Sequence, residues 1–282
     1  ISVDYVTLII SCVLDIFIIV VNVQDFCVNR RLPLSDQLLL SLSVFGLLHE
    51  LNEGYLLYIN LLLGPYNVYS VQTLHFFTYV NSCTLWLSAL LSLHFCLKIV
   101  NITQRFYIDL QRRFPMFFPW IIIAFPLGYF FMCLYSSLEI NPKCLLNATQ
   151  QEGISFYMFP RCFWPLLIFM IICVLCAFIS LVSTLTIAVS LLGHVRRIQA
   201  NTEGSRSPNI DAHIQAVKTV TGLLIANILR VTFVSTLALS ELKLQWEFIL
   251  GILIFFSHIL SSYFFIKGTK KLHNALTEFL SC

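Results

Sequence analysis

Residues 181–226 read LVSTLTIAVSLLGHVRRIQANTEGSRSPNIDAHIQAVKTVTGLLIA, and this stretch decides the fold. It opens as an apolar helix and ends abruptly at the basic pair Arg196 and Arg197. Gly204 and Pro208 break the helix in the polar turn that follows, and the chain becomes apolar again after Lys218. Because apolar residues satisfy the bilayer and basic residues stop at the cytosolic headgroups, the stretch predicts two membrane helices joined by a cytosolic loop.

The composition of the whole chain excludes a single soluble globule. Of its 282 residues, 58% are hydrophobic and only 11% are charged, whereas soluble domains carry roughly 25% charged residues. The apolar runs are continuous rather than alternating, which is typical of membrane helices and not of membrane barrels. The sequence therefore predicts an all-α integral membrane protein.

Seven apolar segments reach the length of about 20 residues that a membrane helix needs. The second outer loop is then 138–161, the third inner loop is 194–217, and a short cytoplasmic tail covers 268–282. The predicted segments, numbered 1 to 7, are 3–26, 37–59, 74–99, 117–137, 162–193, 218–240 and 247–267.

The basic residues orient this seven-helix bundle. Thirteen of the seventeen Lys and Arg residues fall in the loops after segments 1, 3 and 5, at the ends of the segments beside those loops, or in the tail. This bias places the N-terminus outside and the C-terminus inside. The predicted architecture is that of G-protein-coupled receptors.

Three polar residues inside the segments predict an intramembrane network: Asp15, Asn22 and Arg230. A charged group at bilayer depth is costly, so Asp15 is expected to face the other helices, either as a proton or ion site or as a hydrogen-bonded carboxylate. Arg230 lies near the midplane and needs a partner. Asp15 is one candidate; local polar contacts or snorkelling towards the interface are the alternatives.

Segments 2 and 3 carry further polar residues near the outer side. His49 and Glu53 share a helical face, but no compact ligand set accompanies them, so the sequence assigns no metal site and favours either a wet vestibule or a position at the headgroup level. Phe77, Asn81 and Thr84 share one face of segment 3. An aromatic ring beside an amide suits a small-molecule pocket, and interhelical packing explains the same spacing equally well.

The second outer loop carries the candidate modifications. Asn147-Ala148-Thr149 is a glycosylation acceptor on the outer side, so we expect a glycan on Asn147. Cys144 and Cys162 both lie near the outer face and can pair, although spacing does not establish the bond. No catalytic or phosphate-binding motif appears, so the sequence predicts no enzyme, no cofactor and no nucleic-acid partner.

Five separate motifs resemble the type 2 taste receptors, the bitter taste receptors, over essentially the whole chain. They lie around the first inner loop, at the inner end of segment 3, in the 181–218 hairpin, at the glycosylation site and at the inner end of segment 7. Their most distinctive residues include Arg30-Arg31, Leu97-Lys98-Ile99, Gly204-Ser205-Arg206, Ala212-His213, Asn147 and Gly268.

The chain also departs from the pattern of that family. Leu14-Asp15 stands where the family has Gly-Asn, Gly46 where it has an Arg, and Ser261-Ser262 where it has His-Ser. The family's Asn and Arg belong to one polar network. The resemblance therefore implies a rebuilt network, with Arg230 as the replacement cation.

The resemblance implies a bitter receptor at the plasma membrane that binds small bitter agonists and activates a gustducin-like or other inhibitory-class G protein. The agonist would contact Phe77, Asn81 and Thr84, with segment 7 near Phe248 and Ile252. A type 1 vomeronasal receptor is the nearest alternative, a seven-helix transporter or channel is a weaker one, and an intramembrane enzyme is remote. The G protein would meet basic residues of the inner loops: Lys98, Arg196, Arg197 and Lys218.

Overall fold

The computed structural model describes residues 2–63, 68–100, 105–138, 154–201, 221–222, 224–229, 232 and 244–281. Over these residues the regular structure is entirely α-helical. Six of the seven predicted segments lie within described helices, and only short parts of 218–240 are described. The helices are α1 (Ser2–Asn29), α2 (Leu34–Leu63), α3 (Val68–Ile99), α4 (Arg105–Leu138), α5 (Ile154–Asn201), α6 (224–229), α7 (Leu244–Gly268) and α8 (Lys270–Ser281).

Two of the helices extend well beyond the predicted membrane segments. The 48 residues of α5 correspond to about 72 Å of helix, more than twice the bilayer core. This helix begins within the predicted outer loop 138–161 and continues into the predicted inner loop 194–217. At the inner side, α4 begins twelve residues before segment 4, among exposed basic residues. Helical structure therefore continues into the headgroup regions, where hydropathy no longer marks it.

Backbone geometry defines the ends of the first two helices. Arg30 directly follows the last residue of α1 and has a φ of 55°. This is the left-handed conformation that commonly ends a helix. The Pro33 carbonyl then accepts hydrogen bonds from the amides of Asp36 and Gln37, both at 3.0 Å. This pairing satisfies two of the free amide groups at the start of α2. The first inner loop is consequently short and tightly turned.

The central helix of the described bundle is α3, which packs against α2, α4 and α5. Within its most apolar window, 78% of the residues are buried, against 17% for α4. Ser82 and Ser92 bond to the carbonyls of Thr78 and Ser88 on their own helix, so small polar residues pack there without unpaired hydroxyls. This position lets side chains of α3 reach several helices at once.

The inner end of α3 is capped by a side chain from α4. The Tyr107 hydroxyl donates to the carbonyls of Cys96 at 2.8 Å and Val100 at 3.1 Å. The Cys96 carbonyl also accepts from the Val100 amide at 3.0 Å, whereas the Val100 carbonyl lies just beyond the helix, where intrahelical donors run out. Tyr107 therefore fixes the inner ends of α3 and α4 to each other.

Large apolar side chains on the outside of the bundle fit a lipid environment. Val13 on α1, Trp120 on α4 and Phe178 on α5 are each at least 60% exposed. In the described part of the chain, four stretches have the length and apolar composition to cross a membrane: Val6–Asn29, Phe76–Ile99, Tyr107–Leu134 and Met170–Ser190. Exposed apolar surface of this extent is stable only against hydrocarbon.

Candidate functional site

Asp15 lies in the middle of the bundle and is only 4% exposed. Its Oδ1 accepts a hydrogen bond of 2.9 Å from the Ser262 hydroxyl on α7. A Cβ built on Gly46 would collide with the Asp15 carboxylate. The carboxylate therefore occupies space that exists because position 46 has no side chain. The two departures from the family pattern, at Asp15 and at Gly46, fit one another sterically.

A polar cavity of about 20 Å³ adjoins this carboxylate. That volume holds about one water molecule and is far below the volume of about 300 Å³ or more that drug-sized ligands occupy. Hydroxyl, amide and imidazole groups from several helices surround it. The lining residues are Asp15, Leu42, Gly46, Thr84, Ser88, Asn227, His258, Ser261, Ser262 and Phe265.

The predicted agonist residues of α3 form a buried row on one face of that helix. Phe77, Asn81 and Thr84 are 6%, 0% and 5% exposed. The Asn81 amide group donates to the Phe77 carbonyl at 3.0 Å. The side-chain oxygen of Asn81, Oδ1, is buried and has no hydrogen-bond partner among the residues that the structure describes. Thr84 lies one turn further in and lines the polar cavity.

A hydrogen bond joins α3 to α6 directly below this row. The Asn227 side-chain amide donates to the Ser88 hydroxyl at 2.7 Å, and both residues are buried. Ser88 lies seven residues after Asn81, or about 10 Å along the helix axis. This contact connects the face with the predicted agonist residues to the sixth helix.

A second polar cluster lies at the inner end of the bundle. The Lys271 ammonium on α8 donates to Asn22 Oδ1 at 2.9 Å, to Asp25 Oδ2 at 2.8 Å and to Asp36 Oδ2 at 3.2 Å. The sequence grouped Asn22 with Asp15, but in the structure Asn22 contacts Lys271. The residues that sequence reasoning missed here are Lys271, Asp25 and Asp36. Their charges were visible, but the partners are separated by 235 residues or more.

The remaining candidate residues divide into three groups. Lys98 is exposed at the inner end of α3. Arg196, Arg197 and Cys162 lie on α5, and Phe248 and Ile252 lie on α7, but only the backbones of these five are described. Outside the described residues lie Cys144, Asn147, Lys218 and Arg230.

One group of side chains in the described part of the chain has the composition and proximity of a metal site: His49, Glu50 and His258. The sequence pattern pairs His49 with Glu53 on the same helix as possible metal ligands. The structure instead brings His49 together with a residue of α7. His49 also contacts Phe77, with ring centroids 5.2 Å apart.

Comparison with known proteins gives a consistent result. The family model described as taste receptor protein (TAS2R) matches residues 1–282. Taste receptor type 2 member 9 of Macaca mulatta is 29% identical over 283 residues, covering 94% of this chain and 87% of that protein. Member 50 of Macaca mulatta is 28% identical, covering 82% of this chain and 78% of that protein.

A third relative, taste receptor type 2 member 4 of Gorilla gorilla gorilla, is 26% identical and covers 77% of this chain and 73% of that protein. The family model spans the whole chain, and the helices contain membrane-spanning stretches. This chain therefore belongs to the taste receptor protein family TAS2R, as a multi-pass membrane receptor of the seven-helix class and not an enzyme.

Proposed function

We propose that this chain is a bitter taste receptor of the plasma membrane, which binds small bitter compounds from the extracellular side and activates a heterotrimeric G protein. The observation that carries the proposal is the match of all 282 residues to the taste receptor family. The G protein is of the gustducin-like or inhibitory class and meets the basic inner surface. That surface comprises Lys98, Arg196, Arg197 and Lys218.

The agonist contacts the buried row on α3. Phe77 supplies an aromatic surface, and the Asn81 carbonyl oxygen is an acceptor without a partner in the described chain. A ligand donor that reaches this oxygen satisfies a buried polar group, which is a source of both affinity and specificity. We expect the agonist also to contact α7 near Phe248 and Ile252, and Thr84 forms the inner limit of the pocket.

Activation follows from the contact between α3 and α6. An agonist shifts the equilibrium between two receptor states only by its differential affinity for them. The Ser88–Asn227 hydrogen bond holds α6 against α3, about two turns inward from Asn81. A ligand that displaces this face of α3 weakens the bond and releases the inner end of α6 towards the G protein.

The first experiment expresses the full chain in cells with a chimeric G protein and records calcium responses to a panel of bitter compounds. A dose-dependent signal that is absent from mock-transfected cells is expected. A ligand-dependent current or flux that persists without the G protein would contradict the proposal and favour a transporter or channel.

The pocket assignment is tested with the agonist that this screen identifies. Asn81→Ala removes the unpaired acceptor and is expected to lower agonist potency by about tenfold, the equivalent of one good hydrogen bond. Phe77→Ala is expected to lower it at least as much. Phe76→Ala is the matched control, because Phe76 is 37% exposed and Phe77 only 6%. Equal potency in all three variants at equal surface expression would exclude this site.

A further inference from the structure

A cluster of two histidines and a glutamate joins α2 to α7 near the middle of the bundle. His49 and Glu50 are neighbours on α2, and His258 lies on α7. Their exposed fractions are 1%, 0% and 5%. Side chains with this capacity for ligation are seldom fully buried together. Asp15 is not one of the three grouped residues, but His258 also lines the cavity beside the Asp15 carboxylate.

The geometry of the cluster brings its donor atoms together. The rings of His49 and His258 are stacked, with centroids 4.2 Å apart and planes inclined by 28°. His49 Nδ1 lies 4.0 Å from Glu50 Oε1. One potential ligand atom from each of the three residues lies within 4.8 Å of the other two.

We propose that His49, Glu50 and His258 form a binding site for a divalent transition-metal ion, with Zn²⁺ as the probe. Two imidazole nitrogens and one carboxylate oxygen are the donor set of zinc sites that keep a fourth position open. Imidazole ligands favour zinc and copper, whereas Mg²⁺ and Ca²⁺ require oxygen ligands. The donor set therefore discriminates between these two groups of ions.

The donor atoms need only a small rearrangement to bind the ion. Bonds of about 2.0–2.2 Å in tetrahedral geometry place ligand atoms roughly 3.3 Å apart. The observed separations of up to 4.8 Å exceed this by about 1.5 Å, so binding of the ion draws the three side chains closer together. The Glu50 carboxylate contributes negative charge to the buried ion, which reduces the cost of removing the cation from water.

An ion at this site would link two helices and contact the proposed agonist pocket. Its ligands come from α2 and α7, so binding fixes the relative position of these helices. His49 packs on Phe77, with planes inclined by 48°, so the ion also fixes the ring that we assign to agonist contact. This effect on agonist response rests on the proposed function, whereas binding of the ion does not.

The binding site is tested on purified full-length receptor by thermal unfolding. Zn²⁺ is expected to raise the unfolding midpoint of the wild type, a chelator to reverse the shift, and Mg²⁺ or Ca²⁺ to produce none. His258→Ala and Glu50→Gln are expected to lose the shift or weaken zinc affinity by at least about tenfold. His258→Cys is expected to retain it, because a thiolate is also a zinc ligand.

His273→Ala is the matched control, since His273 is exposed on α8. No zinc-dependent shift in the wild type, or an equal shift in His258→Ala and the wild type, would overturn the site. If the alanine variant does not fold, Co²⁺ in the wild type replaces this comparison, because tetrahedral coordination produces visible absorption and its absence contradicts the site.

A calcium assay with zinc or chelator outside the cells then tests the coupling. A changed agonist potency in the wild type but not in His258→Ala supports it. A zinc-dependent thermal shift with unchanged potency keeps the metal site and removes the coupling. A receptor that binds zinc but answers no bitter compound contradicts the proposed function and leaves the site standing.

Discussion

Two aspartates on α1, ten residues apart, are accommodated in different ways. Asp25, at the inner end, is 24% exposed and forms an ion pair of 2.8 Å with Lys271. Asp15, in the middle, is 4% exposed and accepts a hydrogen bond from the Ser262 hydroxyl beside a glycine that makes room for it. Near the headgroups, water helps to solvate a full charge pair. At mid-depth the described contacts are a neutral donor and a close steric fit, because an ammonium group is costly there.

The largest effect is expected from Gly46→Ala, which fills the space that the Asp15 carboxylate occupies. The new methyl group overlaps the Asp15 carboxylate, and we expect a loss of about 2–3 kcal/mol of stability in thermal unfolding. The double variant Gly46→Ala with Asp15→Ala should recover part of this loss.

Gly54→Ala is the matched control on the same helix. Among the described residues, a Cβ there meets only Leu8 Cδ1, at an ordinary 3.6 Å, so higher helix propensity should stabilise the receptor by about 0.5–1 kcal/mol. Equal unfolding midpoints for the two alanine variants would mean that Asp15 does not depend on the space at position 46.

The next largest effect is expected at the inner cluster. Lys271→Ala removes the cation shared by Asp25 and Asp36, and we expect a loss of about 1–2 kcal/mol because these groups are partly screened by solvent. Lys270→Ala, at an exposed neighbouring position, should change little.

The salt dependence of the unfolding midpoint tests the electrostatic role of Lys271 separately. Raising the ionic strength should lower the unfolding midpoint of the wild type more than that of Lys271→Ala, since salt screens ion pairs that are partly open to solvent. An identical salt dependence in both proteins would assign no electrostatic role to Lys271.

The smallest effect is expected from Ser262→Ala, which removes the described donor to Asp15. We expect a loss of about 1 kcal/mol, in the range measured for hydrogen bonds between membrane helices. Ser261→Ala is the control, because the Ser261 hydroxyl bonds to the Ser257 carbonyl on its own helix. If both variants unfold at the same temperature, the Asp15–Ser262 contact contributes nothing specific.

Hydropathy and charge were sufficient to predict the helical class, and the motifs were sufficient to predict the family that the whole-chain match confirms. The burial of Asp15 also follows from the cost of a charge at its depth. These features are local: each depends on composition or spacing within one segment.

The partners of the buried polar groups could not be predicted in the same way. Lys271 meets Asp25 across 246 residues, and no spacing rule connects a tail residue to the first helix. His49 was considered with Glu53 because the i,i+4 rule compares residues of one helix. Its neighbour His258 becomes visible only when α7 packs against α2. Helix packing decides which polar groups meet, and the sequence pattern within one segment carries no information about that packing.

The hydrogen bond between Asp15 and Ser262 also has a consequence for biosynthesis. Its two residues are 247 positions apart, and at about 5–20 residues per second a ribosome needs roughly 12–50 s to make the second after the first. Throughout that time α1 must remain in the bilayer without the Ser262 hydroxyl, which donates to Asp15 only after α7 has been made. The mean hydropathy of 2.7 over the most apolar 18-residue window of Val6–Asn29 offsets the insertion cost of about 2.5–3.5 kcal/mol for one aspartate. A nascent chain halted before α7 should therefore insert its first helix normally and still remain a substrate for quality control.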